Sequence, residues 1–301
     1  MQKTLISIIG STGIGKTKLA IEMAKHFGTE IISCDSRQFF KEMKIGTATP
    51  TDEELAQAKH HFIGHLSVQD YYSIGQYEED ALEKIEEIFE DKDFAVLVGG
   101  SMMYEKAVVE GLNDLPEANA ENQEKLQKIL DEEGLEKLQE ILKNLDEEYY
   151  NVVHKENPRR LLRAIDVIWQ TGRKYSEIIA EPKHKRDFKV IRIGITAPRE
   201  IMYERINLRV DKMLEKGLID EVKSLTKYQN LVPLQTVGYT EIFKYLEGTW
   251  DLDFAVEEIK KNSRRYAKRQ ETWNRKVENV TWLPYDYSEE QLHEILSKIE
   301  K

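Results

Sequence analysis

Apolar positions along the chain change period several times, and the changes outline an alternating α/β core. Thr4–Ile9 is largely apolar and β-branched, the pattern of a strand buried on both faces. Gly10–Gly15 reads as a loop. In Lys16–Phe27, Leu19, Ala20, Met23, Ala24 and Phe27 fall at helical spacing, and Glu30–Ser33 is a second short strand. Such a strand–loop–helix–strand unit implies a mostly parallel sheet. Residues 34–72 are less regular, with a Gly-Thr-Ala-Thr-Pro turn at 46–50. An acidic amphipathic helix is predicted over 74–91, with Ala81, Leu82, Ile85, Ile88 and Phe89 inward. Phe94–Val98 is a third strand ending in Gly99-Gly100, followed by a helix from about Ser101 to Glu110. From about 113 to 182 the periodicity is helical throughout, bracketed by Pro116 and Pro182. The α/β pattern then returns. Val190–Ile195 is a strand, helices run at about 199–215, 217–229 and 252–276, Val280–Leu283 is a last strand, and a helix closes the chain.

Composition narrows the setting. With 301 residues, 40% of them hydrophobic, the chain can build one large core or two modest ones. Gly at 16 and Pro at 7 are too few for a collagen-like or linker-dominated chain. The single cysteine, Cys34, excludes a disulfide framework and fits a reducing compartment. No apolar run approaches the roughly 20 residues that span a bilayer. The N-terminal apolar stretch runs into a glycine loop rather than a cleavage site, so it reads as a strand and not a signal peptide. A cytoplasmic protein without membrane contact is expected, and a monomer, since no hydrophobic seam stands out.

Gly10, Ser11, Thr12, Gly13, Ile14, Gly15, Lys16 and Thr17 fit G-x-x-x-x-G-K-[ST], with a strand before and a helix after. Glycines let backbone N–H groups turn inward around phosphate oxygens, and the helix N-terminus adds positive partial charge. Lys16 supplies a cation, and the Thr17 hydroxyl can ligate Mg²⁺. The pattern predicts binding of a diphosphate-bearing small molecule. It also sets the fold class: a P-loop NTPase-like parallel sheet flanked by helices. The core covers 1–115 and 186–301, with an all-helical insertion domain at 116–185. By itself the motif suggests ATP or GTP. However, the strand Phe94–Val98 ends without the acidic residue that a nucleoside-triphosphatase places there for Mg²⁺. The carboxylate that stands out is Asp35, just after the second strand, where carboxyl ends of parallel strands face the ligand crevice. It can be a general base, a Mg²⁺ partner, or a turn residue.

The net charge of −11 argues against a polyanionic partner, but the charge is unevenly spread. Residues 260–276 carry eight Lys or Arg and one acid, a local +7 that leaves −18 for the rest. The doublets Lys260/Lys261, Arg264/Arg265 and Lys268/Arg269 recur every four residues, extended by Arg275/Lys276, with Tyr266 and Trp273 interleaved. That spacing predicts one basic helix face and a polyanion footprint. A second basic group, Arg159-Arg160-Leu161-Leu162-Arg163, opens a helix after Pro158. Arg205 and Arg209, one turn apart, could reach the phosphate loop. His60, His61 and His65 match no standard zinc spacing and read as structural.

These segments, taken in order, resemble the tRNA dimethylallyltransferase (tRNA isopentenyltransferase) family of P-loop prenyltransferases. The resemblance is carried by Gly10–Thr17, Asp35-Ser36-Arg37-Gln38, Ile45-Gly46-Thr47-Ala48, His60-His61, Leu97–Ser101, Pro158–Arg163, Val237-Gly238-Tyr239, and Arg264–Gln270 with Thr272-Trp273. It implies that the loop holds dimethylallyl diphosphate rather than a nucleotide. The acceptor is then N6 of the adenosine 3′ of the anticodon, position 37 of the tRNA. It further implies Asp35 as the base on that amine. Ser101, standing where the family usually has Thr, helps to position it. Gly10–Thr17 and Arg209 hold the diphosphate, with Mg²⁺ at Thr17. The tRNA anticodon stem-loop is held by Asp35, Ser36, Arg37, Gln38, Ser101, Arg159–Arg163, Arg264, Arg265, Lys268, Arg269, Trp273 and Arg275. An adenylate isopentenyltransferase would share the loop and Asp35 but needs no basic helix. A small-metabolite kinase gives no reason for that helix either. An RNA-binding module leaves Lys16, Thr17 and Asp35 unexplained.

Overall fold

The computed structural model describes residues 2–300. They divide into two compact units, one of residues up to 109 together with 186 onward, the other of 110–185.

The first unit begins with β1 (Thr4–Gly10), α1 (Lys16–His26), β2 (Ile31–Ser33), α2 (Asp52–Leu55), β3 (His60–His61), α3 (Ile74–Asp91), β4 (Phe94–Val98) and α4 (Met102–Glu110). The second unit holds α5 (Ala120–Glu133), α6 (Leu135–Leu145), α7 (Glu147–Val152), α8 (Pro158–Thr171) and α9 (Tyr175–Ile179). The first unit resumes with β5 (Lys189–Thr196), α10 (Arg199–Glu215), α11 (Leu218–Ser224), α12 (Tyr239–Leu246), α13 (Leu252–Asn274), β6 (Val280–Pro284) and α14 (Glu289–Ile299).

The six strands form one parallel sheet in the order β3-β2-β4-β1-β5-β6, the α/β architecture expected from the alternating pattern. Alternate residues of each strand feed opposite cores. Leu5, Ile32, Ala95 and Leu97 join the side chains of α3, α11 and α12. Ile6, Ile8, Ile31, Val96, Val98, Ile193 and Ile195 join α1 and α14. Full burial of β1 and β4 explains their lack of polar alternation. In the helical unit, Leu126, Leu138, Leu142, Leu161, Leu162 and Ile165 make a core of their own. No helix among the described residues is long and apolar enough to cross a membrane.

The structure departs from the periodicity reading in three places. The irregular stretch 34–72 contains α2, opened by a Thr51/Glu54 capping box, and the two-residue edge strand β3. The helix expected over 217–229 stops at Ser224 and gives way to a 3₁₀ turn at Thr226–Tyr228. There the Ser224 hydroxyl bonds the Glu221 carbonyl and the Thr226 hydroxyl bonds the Lys223 carbonyl, so side chains compete with the backbone ladder. Finally α12 went unpredicted, although Tyr239, Ile242, Phe243 and Leu246 have helical spacing.

Candidate active site

Register brings the site together. Val98 of β4 is level with Ile8 of β1 on one side and Ser33 of β2 on the other. Gly10, Gly100 and Asp35 each lie two residues beyond those partners, so the three strand ends converge at one height. The middle strand must then be thin where it leaves the sheet. A Cβ on Gly99 would stand 2.4 Å from the Cys34 carbonyl carbon, and one on Gly100 would stand 2.8 Å from Asp35 Oδ2. Side chains at either position would push Asp35 away from the phosphate loop.

The loop turns into α1 at Gly15, whose φ of +115° is open to glycine but strained for other residues. Lys16 Nζ donates to the carbonyls of Gly10 (3.0 Å) and Ser11 (2.9 Å). Loss of hydration lowers its pKa to about 8; nearby Asp35 opposes that shift and Arg209 adds to it. Both candidate arginines of α10 reach the loop. Arg205 Nε donates to the Gly13 carbonyl at 2.9 Å. Arg209 donates from Nη1 to Thr12 Oγ1 at 3.2 Å and from Nη2 to the Thr47 carbonyl at 3.1 Å.

Asp35 serves the turn through Oδ1, which accepts the Arg37 N–H at 3.1 Å. Ser101 Oγ lies 2.9 Å from Ser36 Oγ and accepts the Ser36 N–H at 3.0 Å, which ties the ends of β2 and β4 together. Gln38 Nε2 donates to the carbonyls of Thr47 and Ala48, both at 3.2 Å.

Two cavities meet at this point. One, of about 360 Å³, is lined by Gly13, Gly15, Lys16, Thr17, Gln38 and Arg205. The other, of about 250 Å³, has an apolar wall of Ile206, Val210, Met213, Val237 and Ile259, with Ser36, Arg37 and Ser101 at its polar side. Thr12, Asp35, Arg209 and Tyr266 line both. A basic, anion-binding compartment and an apolar one thus share a neck that presents one carboxylate and one guanidinium.

Helix α13 supplies a residue that sequence reasoning missed. Gln270 is 1% exposed; its Oε1 accepts the Thr12 N–H at 2.8 Å and its Nε2 donates to the Gly100 carbonyl at 2.7 Å. Tyr266 donates to the same carbonyl at 2.8 Å. The available signal is a polar residue at the inward helical phase set by Tyr266, Ala267 and Trp273. The basic stripe on α13 is not one uniform face. Lys260 pairs with Asp211 and Glu257, Lys261 pairs with Glu258, and Arg264 donates to Asn207 Oδ1 at 2.7 Å beside the Tyr203 ring. Arg265, Lys268, Arg269, Trp273 and Lys276 instead line an open groove of about 420 Å³, and Arg275 is exposed nearby.

In the helical unit the Arg159–Arg163 segment also divides, which corrects its reading as one contact surface. Leu161 is 0% and Leu162 8% exposed; both pack into the unit's core, so neither offers a ligand contact. Arg163 is engaged internally with Asp166 and the Pro116 carbonyl. Arg159 and Arg160 are exposed.

No cluster of three or more His, Cys, Asp or Glu able to hold a metal occurs among the described residues. His61 Nε2 lies 2.6 Å from Glu30 Oε2, a structural contact on the edge strand. The Thr17 hydroxyl, in the cavity that the phosphate loop lines, suits a hard ion that takes its remaining ligands from phosphate and water.

A family model described as IPP transferase matches residues 38–277. The tRNA dimethylallyltransferase of Christiangramia forsetii is 49% identical over 300 residues, covering 99% of each chain. The tRNA dimethylallyltransferase 1 of Bacteroides thetaiotaomicron is 45% identical over 280 residues, 93% of this chain and 91% of that one. Among crystal structures, the tRNA isopentenylpyrophosphate transferase of Bacillus halodurans has a TM-score of 0.73 at 35% identity, over 100% of this chain and 96% of the other. A eukaryotic dimethylallyltransferase acting on tRNA has a TM-score of 0.85 at 26% identity, over 99% of this chain and 78% of the other.

Proposed function

The chain belongs to the IPP transferase family, and from that premise we propose that it transfers the dimethylallyl group of dimethylallyl diphosphate to N6 of adenosine 37 in tRNA, releasing diphosphate. The observation that carries the reading is the shared neck. Asp35 lines both the cavity of the phosphate loop and the cavity with the apolar wall, which supports a base beside both ends of the prenyl donor.

The chemistry needs help on two sides. An adenine N6 lone pair is delocalised into the ring and is a weak nucleophile. Asp35 takes its proton as the N–C bond forms, while Ser36 and Ser101 orient the amine. On the other side the allylic C–O bond breaks. Charge developing on the leaving diphosphate is met by loop N–H groups, Lys16 and Arg209. Thr17 is the residue that would hold Mg²⁺, which supplies charge neutralisation on the diphosphate when bound. The apolar wall of Ile206, Val210 and Met213 receives the dimethylallyl group and excludes water.

An adenine inside a stack cannot reach the neck, so the base is taken out of the anticodon loop. Arg265, Lys268, Arg269 and Trp273 contact the RNA from the first unit, and Arg159 and Arg160 from the helical unit. The contacts from the first unit explain why an acidic chain carries a basic groove.

The direct test combines purified protein, Mg²⁺ and labelled dimethylallyl diphosphate with an anticodon stem-loop carrying an adenosine run, with AMP, or with ATP. Label is expected in the stem-loop alone; substantial transfer to AMP would identify an adenylate prenyltransferase instead. A second expectation concerns salt. Replacing Arg265, Lys268 and Arg269 together by Ala should weaken stem-loop binding and flatten the log–log salt slope by roughly 2 to 3. Fluorescence anisotropy between 50 and 200 mM salt reads it, and an unchanged slope would move the footprint off this groove.

A further inference from the structure

Two of the sequence motifs, Gly46-Thr47-Ala48 and Val237-Gly238-Tyr239, border the apolar cavity without a step of their own in the chemistry above, and in the structure they meet. Tyr239 is 0% exposed and its ring lies against Gly46, where a Cβ would stand 2.5 Å from ring carbon Cε2. Glu221 of α11 completes the contact. Its Oε1 accepts the Gly46 N–H at 2.9 Å and the Tyr239 hydroxyl at 2.7 Å, and its Oε2 accepts the Ile45 N–H at 2.7 Å. Three donors on one carboxylate fix both the place and the orientation of this loop. Burial and the adjacent Glu221 charge push the Tyr239 phenol pKa up, so the hydroxyl remains a donor.

The clamped loop carries the Thr47 carbonyl, which accepts Arg209 Nη2 at 3.1 Å and Gln38 Nε2 at 3.2 Å. Arg209 is therefore suspended between the phosphate loop, through Thr12, and the clamped loop, through Thr47. Beside Thr47, Ala48 has φ +45°, a left-handed conformation that a non-glycine residue keeps only where its surroundings enforce it. We propose that Glu221 and Tyr239 are positioning residues for the leaving group: acting through residues 45–48, they set the Arg209 guanidinium against the diphosphate. The inference rests on the assignment of Arg209 to that diphosphate.

Tyr239→Phe keeps the ring against Gly46 and removes one hydroxyl. Glu221→Gln keeps the shape but turns an NH₂ group toward the clamped donors. On the full chain, calorimetry with inorganic diphosphate is expected to show binding weaker by about 3-fold in Tyr239→Phe and about 10-fold in Glu221→Gln. KM for dimethylallyl diphosphate should rise and kcat should fall, with stem-loop affinity within about 2-fold of the parent. In an Arg209→Ala background neither substitution should weaken diphosphate binding further, because the residue they act through is gone. Parental diphosphate affinity in both variants would overturn the proposal, and so would equal losses with and without Arg209. If Glu221→Gln fails to fold, Tyr239→Phe carries the test alone. Diphosphate binding is read without an acceptor, so a parent chain that prenylates no RNA would overturn the proposed function and leave this test standing.

Discussion

Asp35→Asn is expected to lower the rate of prenyl transfer by about 10²- to 10⁴-fold, the usual worth of a positioned general base. The substitution is chosen for what it leaves intact. An Asn side chain is nearly isosteric, and its carbonyl oxygen can still accept the Arg37 N–H that Oδ1 accepts now. The turn after β2, the Ser36–Ser101 contact and the close approach of Gly100 should all survive. What disappears is the capacity to take a proton from N6. Single-turnover transfer to a stem-loop should therefore collapse while RNA affinity, carried by α13 and the helical unit, stays near that of the parent. A parental rate in Asp35→Asn would remove the carboxylate from the chemistry. A parallel loss of RNA binding would make it a docking residue instead.

Lys16→Ala is the second large expectation, with kcat/KM for dimethylallyl diphosphate falling by about 10²- to 10³-fold, comparable to removal of one oxyanion donor. Lys16 also imposes a pH signature on the parent chain. Its pKa in the folded chain is lowered to about 8, mainly because its surroundings exclude water. Below pH 8 the amine is charged before the donor arrives. Above pH 8 it is neutral in the free protein, and binding a fully ionised diphosphate ester must take up a proton. Donor affinity should thus be level between about pH 7 and 8, where the diphosphate is fully ionised, and decline above pH 8 by up to tenfold per pH unit. Titration calorimetry in buffers of different ionisation enthalpy reads the proton directly. Affinity that holds level to pH 9.5 would mean either that the free Lys16 amine stays charged or that it is not the cation on the diphosphate, and the loss in Lys16→Ala separates the two.

Much of this was legible before any coordinates because the phosphate loop is a local device. Eight consecutive residues contain its turn, its cation and its hydroxyl, with a buried strand before and an amphipathic helix after. Asp35 was legible as a candidate for a similar reason: it follows a short apolar strand, and the ends of parallel strands face ligands. The insertion's helical period and the excess of positive charge over 260–276 were equally plain. Gln270 was missed because its value lies in two partners 258 and 170 residues away. The spacing of the basic stripe predicts one uniform face because it does not reveal that Asp211, Glu257 and Glu258 neutralise one end of it. Leu161 and Leu162 were grouped with their arginine neighbours because adjacency in sequence hides that a helix turns neighbouring positions to different faces.

The order of residues alone determined which chemical groups this protein has to work with: a phosphate cradle, one carboxylate at a strand end, and a run of arginines and lysines. Those are short-range facts, set by backbone geometry and side-chain type over a few positions. Only the tertiary structure decided which groups act together. The order β2-β4-β1 and the shared level of Ser33, Val98 and Ile8 bring Asp35, Gly100 and Gly10 to one edge. Glu221, 175 residues from Gly46, and Tyr239 beside it close on that glycine for the same reason. Strand order and long-range contacts come from burying whole faces against one another, a collective free energy that no local pattern carries.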